Sequence, residues 1–149
     1  MKRAVLCAAI VGTTSVATSS SVADLPPSAV LTVRVTNLRS NDGQVGCLLY
    51  GSAKGFPKDP SAALERLWSP IDQKSAVCRF ASMPAGIYAV ASFHDENKNG
   101  KLDTGAFGIP TEGTVVSNHA KGFMGPPKFA DAKFVFSGTA GEMRLEMRR

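Results

Sequence analysis

The chain has 149 residues and a formal net charge of +5, which suits a single, mildly basic domain. No run of Lys or Arg exceeds two residues, so the charge pattern argues against a nucleic-acid-binding surface. Removal of residues 1–23, which hold Lys2 and Arg3, lowers the net charge from +5 to +3. The remainder is long enough to bury one modest hydrophobic core.

The first residues are typical of an export signal. Two basic residues precede an apolar stretch at 4–11, which is too short to span a bilayer as a retained helix. A Ser/Thr-rich segment then leads to Ser-Val-Ala at 21–23, a small-x-small cleavage pattern. We therefore predict a signal peptide at 1–23, a short linker at 24–29 and a folded domain at 30–149. The alternative is a retained tail, either disordered or anchored.

Alternating apolar and polar residues predict short β-strands along the folded domain. Residues 31–36 alternate in this way, as expected for a strand with one buried and one solvated face. One short helical turn is expected after Pro60, and glycine-containing turns are expected at 41–43 and 137–141. The predicted strands cover residues 31–36, 45–50, 66–69, 77–80, 87–93, 133–137 and 143–148.

This strand pattern favours an all-β fold, an antiparallel Ig-like β-sandwich of about seven strands. One long segment, 104–130, carries many glycines and prolines, and such a length without regular structure is often functional. It also holds Phe107, Phe123, Met124 and Phe129. We expect these side chains to pack an ordered loop against the sandwich; a ligand groove lined by the phenylalanines and a disordered segment are the alternatives.

Removal of the signal peptide would leave two cysteines, Cys47 and Cys78, each in a predicted strand. An even pair in an oxidising compartment favours a disulfide. The chain-entropy model gives a bridge that closes a loop of this length a stabilisation of roughly 3–4 kcal/mol. Two separate buried thiols are the alternative.

The most informative segment is His94–Asp103, which places oxygen-bearing side chains at alternate positions before a glycine. Calcium takes six to eight oxygen ligands from carboxylates, amides and backbone carbonyls. Gly100 permits the sharp turn that such a loop needs. The spacing matches positions one, three, five, six, seven and nine of an EF-hand loop, so we predict a site for Ca²⁺ or a similar hard cation. The predicted ligands are Asp95, Asn97, Asn99, the backbone carbonyl of Lys101, and Asp103.

Position twelve of that loop should be a bidentate glutamate, and here it is Ala106. Glu112 lies further along, in a Pro-Thr-Glu-Gly turn, and could take the vacant place if residues 104–111 fold back. We therefore add Glu112 to the predicted metal ligands. Asn, Asp and Gly are also turn residues, so a metal-free solvated turn with a surface glutamate is the alternative.

A metal-dependent enzyme is the second function class. His94 and His119 are the only histidines, and with Asp95 and Glu112 they could surround a catalytic metal. Their spacing matches no zinc motif. Convergence of both imidazoles on one centre would favour the enzyme, whereas convergence of oxygen atoms alone favours a structural ion.

Several motifs, in order along residues 30–148, resemble domain-of-unknown-function family 2141, a group of small exported bacterial proteins. The resemblance implies a secreted or periplasmic β-sandwich, and the family name carries no established activity. The approach to the strand at 87–93 also resembles transthyretin-like sandwiches, which is a likeness of fold only. The motifs are Met-Pro-Ala-Gly-Ile-Tyr-Ala-Val at 83–90, the 94–103 loop, Phe-Gly-Ile-Pro-Thr-Glu-Gly at 107–113, Ser-Asn at 117–118, Gly-Pro-Pro-Lys-Phe at 125–129 and Asp-Ala at 131–132.

Together these features predict an exported, non-enzymatic β-sandwich that is periplasmic or secreted and has no membrane span in its mature form. Its expected role is that of a binding or accessory module at the cell envelope, with a ligand or partner other than nucleic acid. The predicted cofactor is Ca²⁺, held as a structural ion that orders the 104–130 segment.

Overall fold

A computed structural model describes residues 29–148. The predicted signal peptide and most of the predicted linker lie outside the described residues. Ala29, the last residue of that linker, packs against the core, and its carbonyl accepts a hydrogen bond from the Met83 N–H at 3.0 Å. The folded unit therefore includes Ala29.

Eight short strands, joined by turns and loops, are the main regular structure of the described chain. A helical turn follows Asp59, whose side chain caps it by accepting from Ser61 N–H, and the predicted strand near 66–69 is present. The strands are β1 (Leu31–Thr36), β2 (Gln44–Tyr50), β3 (Glu65–Pro70), β4 (Ala76–Phe80), β5 (Gly86–Asp95), β6 (Thr114–Val116), β7 (Phe134–Phe136) and β8 (Gly141–Glu146). The helical segments are three 3₁₀ turns, Pro60–Ala62, Ala106–Gly108 and Ser117–His119, and α1 (Phe129–Ala132).

The strands form two sheets, which confirms the all-β sandwich. One sheet has the order β4-β1-β8, and the other has the order β3-β2-β5-β6 with β7 paired to one end of β5. The prediction of purely antiparallel pairing is wrong at one place, because β8 runs parallel to β1, from Leu31 opposite Gly141 to Thr36 opposite Glu146. Parallel neighbours need a long connection, and β1 and β8 are the first and last strands of the described chain.

The main core lies between the two sheets. Leu31, Val33 and Val35 of β1 are buried there, as their alternation predicts, and Leu145 of β8 joins them. The predicted disulfide is confirmed: Cys47 of β2 and Cys78 of β4 are bonded, with their Cα atoms 6.5 Å apart. The bridge therefore connects one sheet to the other through the centre of the core.

A second apolar cluster covers the outer face of the larger sheet. Leu48, Tyr50 and Ala91 alternate with inward-facing neighbours on β2 and β5, and Phe56 and Phe129 pack on them from connecting segments. The Tyr50 and Phe56 rings meet edge to face at 5.2 Å between centroids. Loops, rather than a third layer of strands, thus close this face.

The 104–130 segment is more structured than predicted, because it contains β6, two 3₁₀ turns and the start of α1. Phe129 packs as expected, 5.8 Å from Phe56 between ring centroids. The prediction is wrong for Phe107, Phe123 and Met124, which are 100%, 92% and 94% exposed. Phe107 and Met124 occupy turns with φ of 60° and 55°, and these turns direct the side chains outward, away from the sheets. None of the helical segments within residues 29–148 is long and apolar enough to cross a membrane.

Candidate functional site

The candidate loop, residues 95–103, begins where the buried strand β5 ends. Asp95 is the last residue of β5 and is fully buried opposite Gln44 of β2. Its Oδ1 accepts from Asn99 N–H at 3.0 Å, and its Oδ2 accepts from Gly100 N–H at 2.9 Å and Gln44 Nε2 at 2.8 Å. A buried carboxylate requires such partners, and these hydrogen bonds fix the loop to the end of the sheet.

The side chains of Asn97, Asn99 and Asp103 converge within the loop. Asn97 Nδ2 donates to Asp103 Oδ2 at 2.6 Å, and Asn99 Nδ2 donates to Asp103 Oδ1 at 2.8 Å. Oδ1 of Asn97 accepts from Asn99 N–H, and Oδ1 of Asn99 accepts from Lys101 N–H. Such bonds from a side chain to the backbone two residues on are typical of Asx turns. The alternate spacing in the sequence therefore corresponds to side chains that meet.

The backbone reverses at Lys98 and Gly100, where φ is 59° and 79°. A Cβ placed on Gly100 would meet nothing within 4 Å. The glycine is therefore favoured by its backbone conformation and not by crowding, as the sequence predicts.

Glu112 joins the two ends of the loop. Residues 104–111 fold back as a small hairpin, in which Thr111 N–H donates to Asp103 O at 3.0 Å. Glu112 then accepts from Glu96 N–H through Oε1 and from Asp103 N–H through Oε2, both at 2.9 Å. The carboxylate thus holds both ends of the loop through backbone N–H groups.

The loop retains oxygen sites beyond those used in its own hydrogen bonds. A carboxylate has about four acceptor sites and an amide oxygen has two. Asp95 uses three sites, Asp103 uses two, and Asn97 and Asn99 use one each. A calcium ion could therefore find six oxygen ligands in the loop, the lower end of its usual range. They would be one oxygen of Asp95, both of Asp103, the amide oxygens of Asn97 and Asn99, and the carbonyl oxygen of Lys101.

The carboxylates of the loop are poorly balanced by basic side chains. Glu96 pairs with Arg39 at 3.1 Å. Within residues 29–148, no Lys, Arg or His nitrogen lies within 4.0 Å of the carboxylates of Asp95, Asp103 or Glu112. A bound cation would supply the missing positive charge.

The two histidines lie in different surroundings. Adjacent residues of a strand point to opposite faces, so His94 faces away from Asp95; His94 is buried, with Nε2 2.7 Å from the carbonyl oxygen of Asp42. Exposed His119 accepts from Glu146 N–H at 3.1 Å through its own Nε2. In the described part of the chain, no group of three or more His, Cys, Asp or Glu side chains is placed to hold a metal ion together. The side chains of Asn97, Asn99 and Asp103 meet in the loop, and neither imidazole joins them.

Three residues have roles at the loop that were not predicted. Gln44 contacts Asp95 from outside the loop, Glu96 within the loop donates its N–H to Glu112, and Arg39 pairs with Glu96. Gln44 lies between the Asn-Asp-Gly turn and the strand predicted at 45–50; in the structure it is the first residue of β2 and pairs with Asp95, the last residue of β5, so both lie just beyond the predicted strands. Arg39 approaches from the connection between β1 and β2, and no local pattern indicates this contact.

Comparison with known families supports an assignment for this chain. The model of a family described as "Uncharacterized protein conserved in bacteria", domain-of-unknown-function family 2141, matches residues 33–144. This confirms the resemblance noted in the sequence. No curated protein and no solved structure matches the chain.

Proposed function

Because the chain belongs to domain-of-unknown-function family 2141, whose description assigns no activity, we propose its role from the geometry of the loop. We propose an exported, non-enzymatic β-sandwich that acts as a binding or accessory module of the cell envelope. In this proposal, the 95–103 loop is a structural Ca²⁺ site that orders the hairpin at 104–111.

The observation that carries the calcium proposal is the convergence of Asn97, Asn99 and Asp103 beside the buried carboxylate of Asp95. The amide N–H groups of Asn97 and Asn99 both donate to the Asp103 carboxylate. Calcium would have to share the Asp103 oxygens with these donors, and only two carboxylates of the six-oxygen set, Asp95 and Asp103, would supply negative charge. Weak binding is therefore expected, with a dissociation constant of roughly 10⁻⁴–10⁻³ M, as in extracellular calcium modules.

Two features support export. The first residues have the order of basic, apolar and small residues that signal peptides use. The Cys47–Cys78 bridge suits a compartment that is oxidising. Mass spectrometry of the envelope and secreted fractions should find a chain that begins at Asp24; intact chain retained in the cytoplasm would contradict export.

Titration calorimetry and thermal unfolding with Ca²⁺, Mg²⁺ and Zn²⁺ test the site. A ligand that binds only the folded state raises the free energy of unfolding by about 1.4 kcal/mol at ten times its dissociation constant. We expect this gain with Ca²⁺, together with slower proteolysis within residues 104–111. If millimolar Ca²⁺ changes neither quantity, the segment is a metal-free turn and the calcium proposal is wrong.

Asn97→Asp is the most discriminating variant, because its effect on the free energy of unfolding should be unfavourable without calcium and favourable with calcium. Without the ion, the new carboxylate would lie beside Asp103, where the Asn97 amide donates now at 2.6 Å, and unfolding should become easier. With calcium, the added charge should strengthen binding and reverse the loss. Lys101→Ala is the matched control, because only the backbone carbonyl of Lys101 is proposed as a ligand. A loss of stability in both conditions would favour the metal-free turn.

A further inference from the structure

The loop from Lys121 to Lys128 projects two large apolar side chains into solvent. Phe123 is 92% exposed and Met124 is 94% exposed. Burial of side chains of this size is normally favourable by about 1.5–3 kcal/mol each. Two neighbouring apolar side chains that are almost fully exposed suggest a surface that is covered by something else when the protein functions.

The turn at the tip of this loop is tight. Met124 has a φ of 55°, which is unusual for a bulky residue. A Cβ built on Gly122 would collide with the carbonyl oxygen of Gly125, so this close approach needs a glycine. An ordered turn thus presents Phe123 and Met124 together.

The base of the loop is fixed to the sandwich. Asn118 Nδ2 donates to the carbonyl oxygens of Asp131 and Lys133, at 3.3 Å and 2.8 Å. Ser117, which is buried, donates to the carbonyl oxygen of Ala132 and accepts from Val90 N–H. These bonds hold the two ends of the loop together, so the exposed tip projects from an anchored base.

The charge of the loop indicates what could cover the tip. Lys121 and Lys128 flank the apolar pair, both are exposed, and no Asp or Glu occurs between Glu112 and Asp131. Basic side chains around an apolar tip complement a surface with negative charge outside and hydrocarbon beneath. An anionic lipid bilayer has this arrangement.

The small area of the tip argues against a second protein surface. An aromatic side chain buries about 150–250 Å², so Phe123 and Met124 together fall well short of the roughly 800 Å² per partner of a stable interface.

We propose that the Lys121–Lys128 loop docks on anionic membranes. Phe123 and Met124 would lie in the boundary between headgroups and acyl chains, and the two lysines would lie at lipid phosphates. This inference goes beyond the proposed function and does not require the calcium loop.

Sedimentation with lipid vesicles tests this proposal. The protein should begin at Asp24, so that the apolar stretch at 4–11 cannot contribute, and the buffer should contain a calcium chelator. Wild-type protein should sediment with vesicles of phosphatidylglycerol and phosphatidylcholine in equal parts, and much less with phosphatidylcholine alone. Added salt should weaken the binding, because it screens the lysines. Absence of binding to the anionic vesicles would overturn the membrane proposal and leave the calcium proposal untouched.

Three variants assign the binding to the loop. Phe123→Ser should weaken vesicle binding about tenfold or more. The double variant Lys121→Gln with Lys128→Gln should lose about fivefold in affinity for each lysine, and its binding should depend little on salt. Val135→Ser is the matched control, because Val135 is an exposed apolar residue of β7, outside this loop. Equal binding by all of these proteins would overturn the proposal. A wild-type dimer that Phe123→Ser converts to a monomer would also overturn it, in favour of self-association.

Discussion

The two faces of the β3-β2-β5-β6 sheet are covered by different kinds of structure. The inner face meets the second sheet, and its cluster includes Val45 and the Cys47 side of the disulfide. The outer face carries Tyr50 and is covered by connecting segments that contribute Phe56 and Phe129. Regular strands therefore close one face, and loops that must be held in place close the other.

This difference predicts two kinds of stability. The inner cluster depends on apolar burial and one covalent bond, neither of which needs a particular ion. The loops of the outer face and of its edge are held by a few polar groups: the Tyr50 hydroxyl, the Ser117 hydroxyl and the Asp95 carboxylate. Changes in pH or calcium should therefore act on the outer segments and leave the inner core largely unchanged.

Removal of the disulfide should have the largest effect. Cys47→Ala with Cys78→Ala should lower the free energy of unfolding by about 3–4 kcal/mol, because the unfolded chain regains the freedom that the bridge removes. Denaturant unfolding measures this loss. The calcium response of the 95–103 loop should survive in this variant, since the bridge lies within the inner core. Two reactive thiols in denatured, unreduced protein that begins at Asp24 would show that the bridge does not form.

Asp95→Asn should have the next largest effect, at the edge of the outer face. The side-chain amide of Asn has an NH₂ group where Asp95 has a carboxylate oxygen, and this group cannot accept the hydrogen bonds that the oxygen now accepts. We therefore expect the free energy of unfolding to fall by about 2–3 kcal/mol. Any rise in melting temperature with calcium should also disappear. Asp72→Asn is the matched control, because Asp72 is exposed and lies outside the loop. A calcium response that persists in Asp95→Asn would show that the negative charge of Asp95 is not needed for calcium binding.

The fold was predictable where it depends on the alternation of apolar and polar residues within a single strand. Residues 31–36 form a strand, and the cysteines of two other strands are paired as predicted. The parallel pairing of β1 with β8 was not predictable in this way, because it joins the two ends of the described chain and no local pattern encodes it. The outward direction of Phe107 and Met124 was also missed, since their hydrophobicity alone predicts burial.

The candidate loop was predictable in its local part only. The spacing of Asp95, Asn97, Asn99 and Asp103 indicated side chains that meet, and they do meet. The hairpin that returns Glu112 was proposed, but the contacts of its carboxylate with two backbone N–H groups depend on three-dimensional positions that spacing does not give.

Tyr50→Phe should have a moderate effect that depends on pH. The Tyr50 hydroxyl donates to the carbonyl oxygen of Asp59 at 3.1 Å, and its loss should cost about 1 kcal/mol near neutral pH. Burial, and then the nearby Asp59 carboxylate, raise the pKa of Tyr50 from 10.0 to about 12. Because the pKa is raised in the folded state, Tyr50 makes its full contribution to the free energy of unfolding below pH 10.0. That contribution is lost as the pH rises towards about 12.

Unfolding of the wild type and of Tyr50→Phe across this alkaline range measures the difference between them. Lysines titrate in both proteins, so only the difference reports Tyr50. We expect the advantage of the wild type to shrink and then reverse above pH 10.0. A constant difference would show that Tyr50 ionises as easily in the folded state as in the unfolded chain, and that the outer face does not bury its hydroxyl.

Asp59→Asn should have the smallest effect and separates the two causes of the raised Tyr50 pKa. Hydrogen bonds from Ser61 hold the pKa of the exposed Asp59 carboxyl below its usual value, so Asp59 is ionised at alkaline pH. Its removal should lower the Tyr50 pKa slightly and leave it above 10.0, because burial is the larger cause. Ultraviolet titration in a Tyr88→Phe background observes Tyr50 alone, since the chain has two tyrosines. A return to the ordinary value would instead make the Asp59 charge the main cause and the outer cluster more open to water than the inner core.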